Sequence, residues 1–165
     1  MAGDSPQGLE ELLLGAFAQA TAALGPGAAI YVAHPGGERS LTFLSAFLAQ
    51  GWRLHQTLVW VKDCMVLGRS DYHYRHESVA YGYAPGGGRR GRGGTGWYGG
   101  DDHQDSVMEV PRPKASRDHP TAKPVELIRR CLANSTGADS SSRTEAPERW
   151  RVANRCDRLD QPING

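Results

Sequence analysis

Helical and strand-like hydrophobic patterns alternate over the first sixty residues, and this alternation is the feature that most constrains the fold. Apolar residues at helical spacing predict a helix over residues 7–24, and a short apolar run predicts a buried strand over residues 28–35. The order then repeats, with a helix predicted over residues 38–50 and a strand over residues 52–62. Such a succession is typical of an α/β layer fold with a largely parallel sheet.

The remainder of the chain is less regular. Residues 77–84 predict a further strand, whereas the Gly- and Arg-rich residues 84–100 offer too few side chains to bury in a regular element. Residues 101–118 are polar and predict no element. The hydrophobic pattern returns over residues 121–132 and predicts a helix that has Pro124 in its first turn.

Charge and cysteine usage exclude several classes of protein. The net charge of the 165 residues is +1, so any attraction to nucleic acid must be local. Cys64, Cys131 and Cys156 are widely spaced and form no CxxC motif, which argues against a disulfide framework or a structural zinc site. No apolar stretch reaches membrane-spanning length, and the N-terminal residues lack the charge pattern of a signal peptide. We therefore expect a soluble, cytoplasmic protein that binds no metal.

The segment HPTAKPVELIRRCL, residues 119–132, carries the most specific signal. Lys123 and the free backbone N–H groups at a helix start can seat a carboxylate or phosphate, although many ordinary helices begin in this way. The string resembles the motif that N6-adenine and N4-cytosine DNA methyltransferases place against the methionine end of S-adenosylmethionine (AdoMet). The resemblance implies AdoMet as cofactor. The residues to which it assigns cofactor contact are His119, Pro120, Thr121, Lys123 and Pro124.

Two further segments resemble the same family. LVWVKD, residues 58–63, is similar to the strand before the family's target-recognition region, and His76-Glu77 is similar to a His-Glu pair that leads into the next strand. A Trp and a Lys at a strand end are commonly just a packed ring and a solvated charge. The order of the segments supports the resemblance, because it matches the permuted arrangement in which the cofactor motifs follow the catalytic and target-recognition parts.

The variable segment, residues 64–113, corresponds in this resemblance to the target-recognition region. It mixes basic residues, which neutralise phosphates, with aromatic residues such as Tyr72 and Trp97, which stack on exposed bases. A solvated Gly/Arg loop without a partner has the same composition. The resemblance implies double-stranded DNA as partner. The candidate DNA-binding residues are Lys62, Arg69, Arg75, Arg89, Arg90 and Arg92.

Two motifs of the family are not found. The first is the catalytic tetrad Asp/Asn/Ser-Pro-Pro-aromatic, which holds the amino group of a flipped base, so no catalytic residue is assigned. The second is the glycine-rich AdoMet loop, because the resemblance stops near Gly137. The resemblance thus implies a partial DNA methyltransferase domain over residues 1–136, with a partial Rossmann-like sheet and an irregular target-recognition insertion, and a divergent tail over residues 137–165.

The activity implied is methyl transfer from AdoMet to an exocyclic amino group of adenine or cytosine in DNA, as in restriction-modification. We expect the isolated chain to be inactive unless a partner chain supplies the missing motifs. A non-catalytic DNA-binding remnant that uses the Arg/Gly-rich loop is an alternative, and salt-dependent DNA binding without AdoMet binding would distinguish it. A Gly/Arg-rich RNA-binding protein is a further alternative, although the regular helix–strand alternation disfavours it.

A further hypothesis explains the divergent tail by a frameshift in the gene or in its sequence record. Read one base out of phase, codons rich in G and C for Ala138–Arg151 would encode a strand and glycine loop similar to those of the family. The coding DNA tests this hypothesis, since it fails if no alternative frame encodes a D-x-x-x-G-x-G pattern.

Overall fold

The computed structural model describes residues 6–68, 70–87, 97–98, 104–113 and 123–136. The helix–strand–helix–strand start predicted from the sequence is confirmed, with ends that differ by a few residues. No helix in this part of the chain is both long enough and apolar enough to cross a membrane. The elements are α1 Pro6–Ala23, β1 Ala29–His34, α2 Arg39–Ala49, β2 Arg53–Val61, β3 His76–Tyr83, β4 Val107–Glu109 and α3 Val125–Ser135.

The four strands form one sheet in the order β1-β3-β2-β4. β3 lies between β1 and β2 and is antiparallel to both, while β2 and β4 are parallel. The prediction of a largely parallel sheet is therefore wrong for two of the three strand pairs. The physical reason is the connection from β2 to β3, which is a loop without a crossover helix and so brings the chain back in the opposite direction.

Helices α1 and α2 cover one face of the sheet through an aromatic core. The Trp52 ring lies 5.1 Å from the Phe17 ring and 5.0 Å from the Phe47 ring, centroid to centroid. Phe47 is fully buried and packs with Ile30 and other apolar residues of the sheet. Gly82 makes this close packing feasible, because a Cβ there would lie 2.8 Å from Cζ of Phe47 and 2.2 Å from the backbone oxygen of Arg53.

Helix α3 covers the other face of the sheet. Leu127 packs against Trp60 and Met108, and the Trp60 indole N–H donates a hydrogen bond to the Val110 oxygen at 2.7 Å. Met108 belongs to β4, which the sequence analysis did not predict. A three-residue strand with one buried side chain in a polar segment is too short to show a hydrophobic period.

The start of α3 differs from its prediction. Pro124 has ψ 135° and stands immediately before the helix, so it is not part of the first turn. A proline disfavours helical backbone at the residue before it, which accounts for a helix that begins after Lys123. Thr121, where the predicted helix began, lies outside the described residues.

Candidate functional site at the carboxyl edge of the sheet

Strands β1, β2 and β4 end, and β3 begins, at one end of the sheet, here called the carboxyl edge. Lys62 directly follows β2, Glu77 is the second residue of β3, and Lys123 lies just before α3. The Glu77 carboxylate joins the two lysines: Oε1 lies 2.8 Å from Nζ of Lys62, and Oε2 lies 2.7 Å from Nζ of Lys123. These three residues are called the Lys–Glu–Lys cluster below.

Trp60 forms the floor of the cluster. Trp60 and Glu77 are partners in the β2–β3 register, so their side chains lie on the same face of the sheet. The ammonium groups of Lys62 and Lys123 lie 5.3 Å and 5.7 Å from the Trp60 ring centroid, which is within cation–π distance. The buried Trp60 ring thus packs under α3 and also stabilises both cations.

The cluster is partly withdrawn from water and carries an excess of positive charge. The Lys62 side chain is 9% exposed, that of Glu77 24% and that of Lys123 31%. Burial opposes ionisation of Glu77, but the hydrogen bonds and charges of Lys123 and Lys62 outweigh it and lower the pKa of this carboxyl. Glu77 is therefore ionised at neutral pH, and two ammonium groups against one carboxylate leave a net charge of +1.

The start of α3 adds a second electropositive feature. No side chain caps this end of the helix, and the first intrahelical bond there runs from the Ile128 N–H to the Pro124 oxygen at 3.4 Å. The first backbone N–H groups of a helix have no acceptor within the helix, and they carry the positive end of its dipole. Together with Lys123, which lies just before the helix, these groups form an arrangement that can bind a carboxylate or a phosphate.

The loop between β2 and β3 is braced against the sheet next to the cluster. The Lys62 N–H donates to the Arg75 oxygen at 2.8 Å, and the Arg75 Nε–H donates to the Lys62 oxygen at 3.0 Å. Tyr74 lies against Gly36, where a Cβ would stand 2.8 Å from the Tyr74 ring. Glycine at position 36 therefore leaves room for the tyrosine, and the loop holds the exposed Arg75 close to the cluster.

Asp63 fixes the opposite side of the same edge. Its Oδ1 accepts a hydrogen bond from the Arg112 N–H at 3.0 Å, and this bond is the main reason why the pKa of Asp63 is lowered. From the sequence, Asp63 has no predicted role and Glu77 is only part of a His-Glu pair. The available signal was an acidic residue in each of two motif strings, Asp63 in LVWVKD and Glu77 in the His-Glu pair, but only the tertiary structure shows the partner of each carboxylate.

The structure brings together some of the predicted site residues and separates others. Lys62, Lys123 and Pro124 meet at the carboxyl edge, with Arg75 beside them. The low exposure of Lys62 and its ion pair with Glu77 favour an internal role over contact with a DNA phosphate. Several predicted site residues lie outside the described residues: His119, Pro120, Thr121, Arg69, Arg89, Arg90 and Arg92.

The residues that flank the Gly/Arg-rich segment lie away from the cluster. After β3, the Ala84 N–H donates to the Ala28 oxygen, and the Gly27 N–H donates to the Pro85 oxygen, so the chain leaves the sheet at the end opposite the carboxyl edge. Further along, the Tyr98 N–H donates to the oxygen of Asn134, near the end of α3. The region predicted to recognise the target is therefore anchored at both ends of the sheet.

No family model matches the sequence, and no curated protein matches it. The fold is similar to that in the crystal structure of the M1.HpyAVI–SAM complex, with a TM-score of 0.53 and 14% sequence identity. The similarity covers 78% of this chain and 60% of that chain, so the present sequence spans less than two thirds of M1.HpyAVI. M1.HpyAVI is a DNA methyltransferase. At this identity the likeness shows the fold alone, and it confirms the predicted α/β, Rossmann-like fold.

Proposed function

We propose that this chain is part of an AdoMet-dependent DNA amino-methyltransferase, and that the carboxyl edge of its sheet contributes to the AdoMet site. The observation that carries this proposal is the Lys–Glu–Lys cluster. Its three residues come from three separate segments, each of which resembles a motif of that family. The similarity of the fold to a methyltransferase solved with SAM adds independent support.

The residues at this edge fit the amino-acid end of AdoMet. That end carries a carboxylate, and the half-buried Lys123 ammonium and the uncapped start of α3 form an electropositive seat of the matching charge. We propose that Lys123 and Pro124, together with His119, Pro120 and Thr121, line the methionine end of the cofactor. When bound, AdoMet supplies the activated methyl group.

Double-stranded DNA is the proposed substrate, with methylation at an exocyclic amino group of adenine or cytosine. Arg75 is exposed beside the cluster and is proposed to contact a backbone phosphate. Arg69, Arg89, Arg90 and Arg92 are proposed to do the same. Replacing a phosphate-contacting arginine lowers affinity for all DNA sequences and reduces the salt dependence of binding by about one counterion.

We further propose that this chain alone transfers no methyl group. The 165 residues contain no Asp/Asn/Ser-Pro-Pro-aromatic tetrad, and the family uses that tetrad to hold the target amino group. Positioning of the reacting groups accounts for much of the rate in such a transfer, so loss of the tetrad removes most of it. A partner chain that carries the tetrad would restore activity.

The first test is calorimetric titration of the purified chain with AdoMet and with decarboxylated AdoMet. We expect AdoMet to bind the more tightly of the two, because only AdoMet presents a carboxylate to Lys123 and the start of α3. The variant Lys123→Gln should weaken AdoMet binding by about tenfold or more, the value of one charge-assisted hydrogen bond. The matched control is Arg129→Gln, which removes an exposed positive charge from the same helix.

Two results would contradict the proposal. Equal affinity for AdoMet and decarboxylated AdoMet would show that the cofactor carboxylate does not contribute to binding at the site. A folded chain that binds no AdoMet but binds DNA with a steep salt dependence would favour the alternative function, a non-catalytic DNA-binding remnant.

A further inference from the structure

We infer that Glu77 is a positioning residue, which holds the ammonium groups of Lys62 and Lys123 together and thereby fixes the place at which α3 begins. Its relevance to cofactor binding rests on the proposed function, but its effect on α3 does not. Glu77 acts through the two lysines, and no contact between Glu77 and cofactor or substrate is proposed.

The contacts of Glu77 are divided between two elements. One oxygen binds Lys62, which directly follows β2, and the other binds Lys123, which lies two residues before α3. Glu77 itself is anchored in β3, with Trp60 as its partner in the neighbouring strand. The carboxylate is therefore a polar link from the centre of the sheet to the N-terminal end of the helix that covers it.

The link acts directly on the helix start. Lys123 precedes Pro124, and Pro124 is the residue immediately before α3, so holding the Lys123 ammonium holds the first turn. The middle of the helix is fixed separately, because Leu127 packs against Trp60 and Met108. Loss of the link should therefore loosen the first turn of α3 while the helix stays on the sheet.

The chemistry of the site requires this carboxylate in particular. Both lysines depend on the same carboxylate, and both lie over the Trp60 ring, so an uncharged side chain at position 77 leaves two like charges close together in a partly dry site. Aspartate keeps the charge but is one methylene shorter, so it cannot keep both contacts without backbone movement. Glutamate supplies both the charge and the reach.

Amide hydrogen exchange on the full-length chain tests the inference. In Glu77→Gln, we expect the amides of Ile128, Arg129 and Arg130 to exchange about tenfold faster, because their acceptors are the oxygens of Pro124 and of the first two residues of α3. Amides in α2 should change by less than about twofold. The matched control is Glu109→Gln, which removes an exposed carboxylate from the neighbouring strand β4 and should leave these rates unchanged.

A double variant separates positioning from general stability. Adding Lys62→Met to Glu77→Gln removes one of the two repelling charges, so we expect the exchange rates in α3 to return part of the way toward wild type. If Glu77→Gln does not fold, Lys123→Gln serves instead, because it leaves the Lys62–Glu77 pair intact and must speed exchange at the same α3 amides.

The inference is overturned if Glu77→Gln leaves α3 exchange unchanged, if it speeds α2 and α3 equally, or if the double variant shows no recovery. AdoMet titration of the same variants tests the proposed function separately, and there we expect Glu77→Gln to bind about tenfold more weakly because the start of α3 is displaced. A chain with no AdoMet binding but with the predicted exchange pattern would contradict the proposed function and leave the positioning role standing.

Discussion

The two faces of the sheet are stabilised in different ways. Under α1 and α2, aromatic and aliphatic side chains pack into an apolar cluster around Phe47 and Trp52. Under α3, apolar packing by Trp60 and Leu127 is combined with the Lys–Glu–Lys cluster at one end. At the other end a tyrosine network joins the hydroxyl groups of Tyr31 and Ser135 and those of Tyr81 and Tyr83. The apolar face defines the domain, whereas the polar face carries Trp60 and the Lys–Glu–Lys cluster of the candidate site.

The two faces also differ in the sequence distance that their contacts span. The apolar face is built mainly from α1, β1 and α2, which follow one another along the chain. The polar face joins Trp60, Met108 and Leu127, which come from three distant segments. We therefore expect the apolar face to unfold cooperatively, as one unit. On the polar face, we expect a single polar substitution to change only the structure near the substituted residue.

The largest effect is expected on the apolar face. Phe47→Ala removes a fully buried ring and should lower the free energy of unfolding by about 3–5 kcal/mol, with a loss of cooperativity throughout the domain. Chemical denaturation followed by circular dichroism measures the change. The neighbouring Leu48→Ala, at a side chain that is 53% exposed, should cost no more than about 0.5 kcal/mol. Similar values for the two variants would mean that α2 does not pack as described.

Acid should produce a smaller effect that is confined to the polar face. The pKa of Glu77 is lowered in the folded chain from its ordinary value of 4.5, so its contribution to stability is complete above that pH and is lost as pH falls through the lowered value. Amide exchange between pH 6 and pH 3 should show α3 opening before α2, after correction for intrinsic rates. The pKa of Asp63 is lowered as well, so protonation of Asp63 also reduces stability as the pH falls. Comparing the wild-type chain with Glu77→Gln isolates the contribution of Glu77. Equal opening of both helices would count against a local ion cluster.

The smallest effect is expected in the tyrosine network. The Tyr31 hydroxyl lies 2.6 Å from the Ser135 hydroxyl at the end of α3, and the Tyr31 ring stacks on Tyr81 at 4.7 Å. Tyr31→Phe keeps the stacked ring and removes one hydrogen bond, so it should lower the free energy of unfolding by about 0.5–1.5 kcal/mol. Tyr72→Phe, at a side chain that is 89% exposed, is the control. The double variant with both Tyr31→Phe and Ser135→Ala should lower the free energy of unfolding by less than the sum of the two single variants, because both substitutions remove the same hydrogen bond.

The α/β alternation could be predicted because it depends on local patterns. The segment of α2 shows a helical hydrophobic period, the segment of β1 is a short apolar run, and the Gly residues between them mark the turn. The place of β3 between β1 and β2 in the sheet, and its antiparallel direction, could not be predicted in the same way. Its direction depends on how the loop from Lys62 to Arg75 folds back on itself, and backbone hydrogen bonds across that loop leave no periodic trace in the sequence.

The candidate site could also be predicted only in part, because some of its features are local in the sequence and others are not. Lys62 and Lys123 stand in recognisable strings, so they could be singled out one at a time. Their shared partner Glu77 could not be identified as such, because an ion pair between distant segments is a property of the tertiary structure. As a consequence, Lys62 was predicted to contact DNA, whereas its buried pair with Glu77 favours an internal role.

If DNA is the substrate, as proposed, the separate anchoring of the predicted target-recognition region has a consequence for the length of duplex that the chain contacts. Arg75 precedes β3 and Gly87 follows it, so the two flank a strand of eight residues, which is roughly 26 Å long at about 3.3 Å per residue. Base pairs stack at about 3.4 Å, so a duplex that lies along this strand and reaches both anchors would extend over roughly seven to eight base pairs. A duplex of four or five pairs can engage only one anchor, and affinity should therefore rise in a step as the duplex is lengthened past this span.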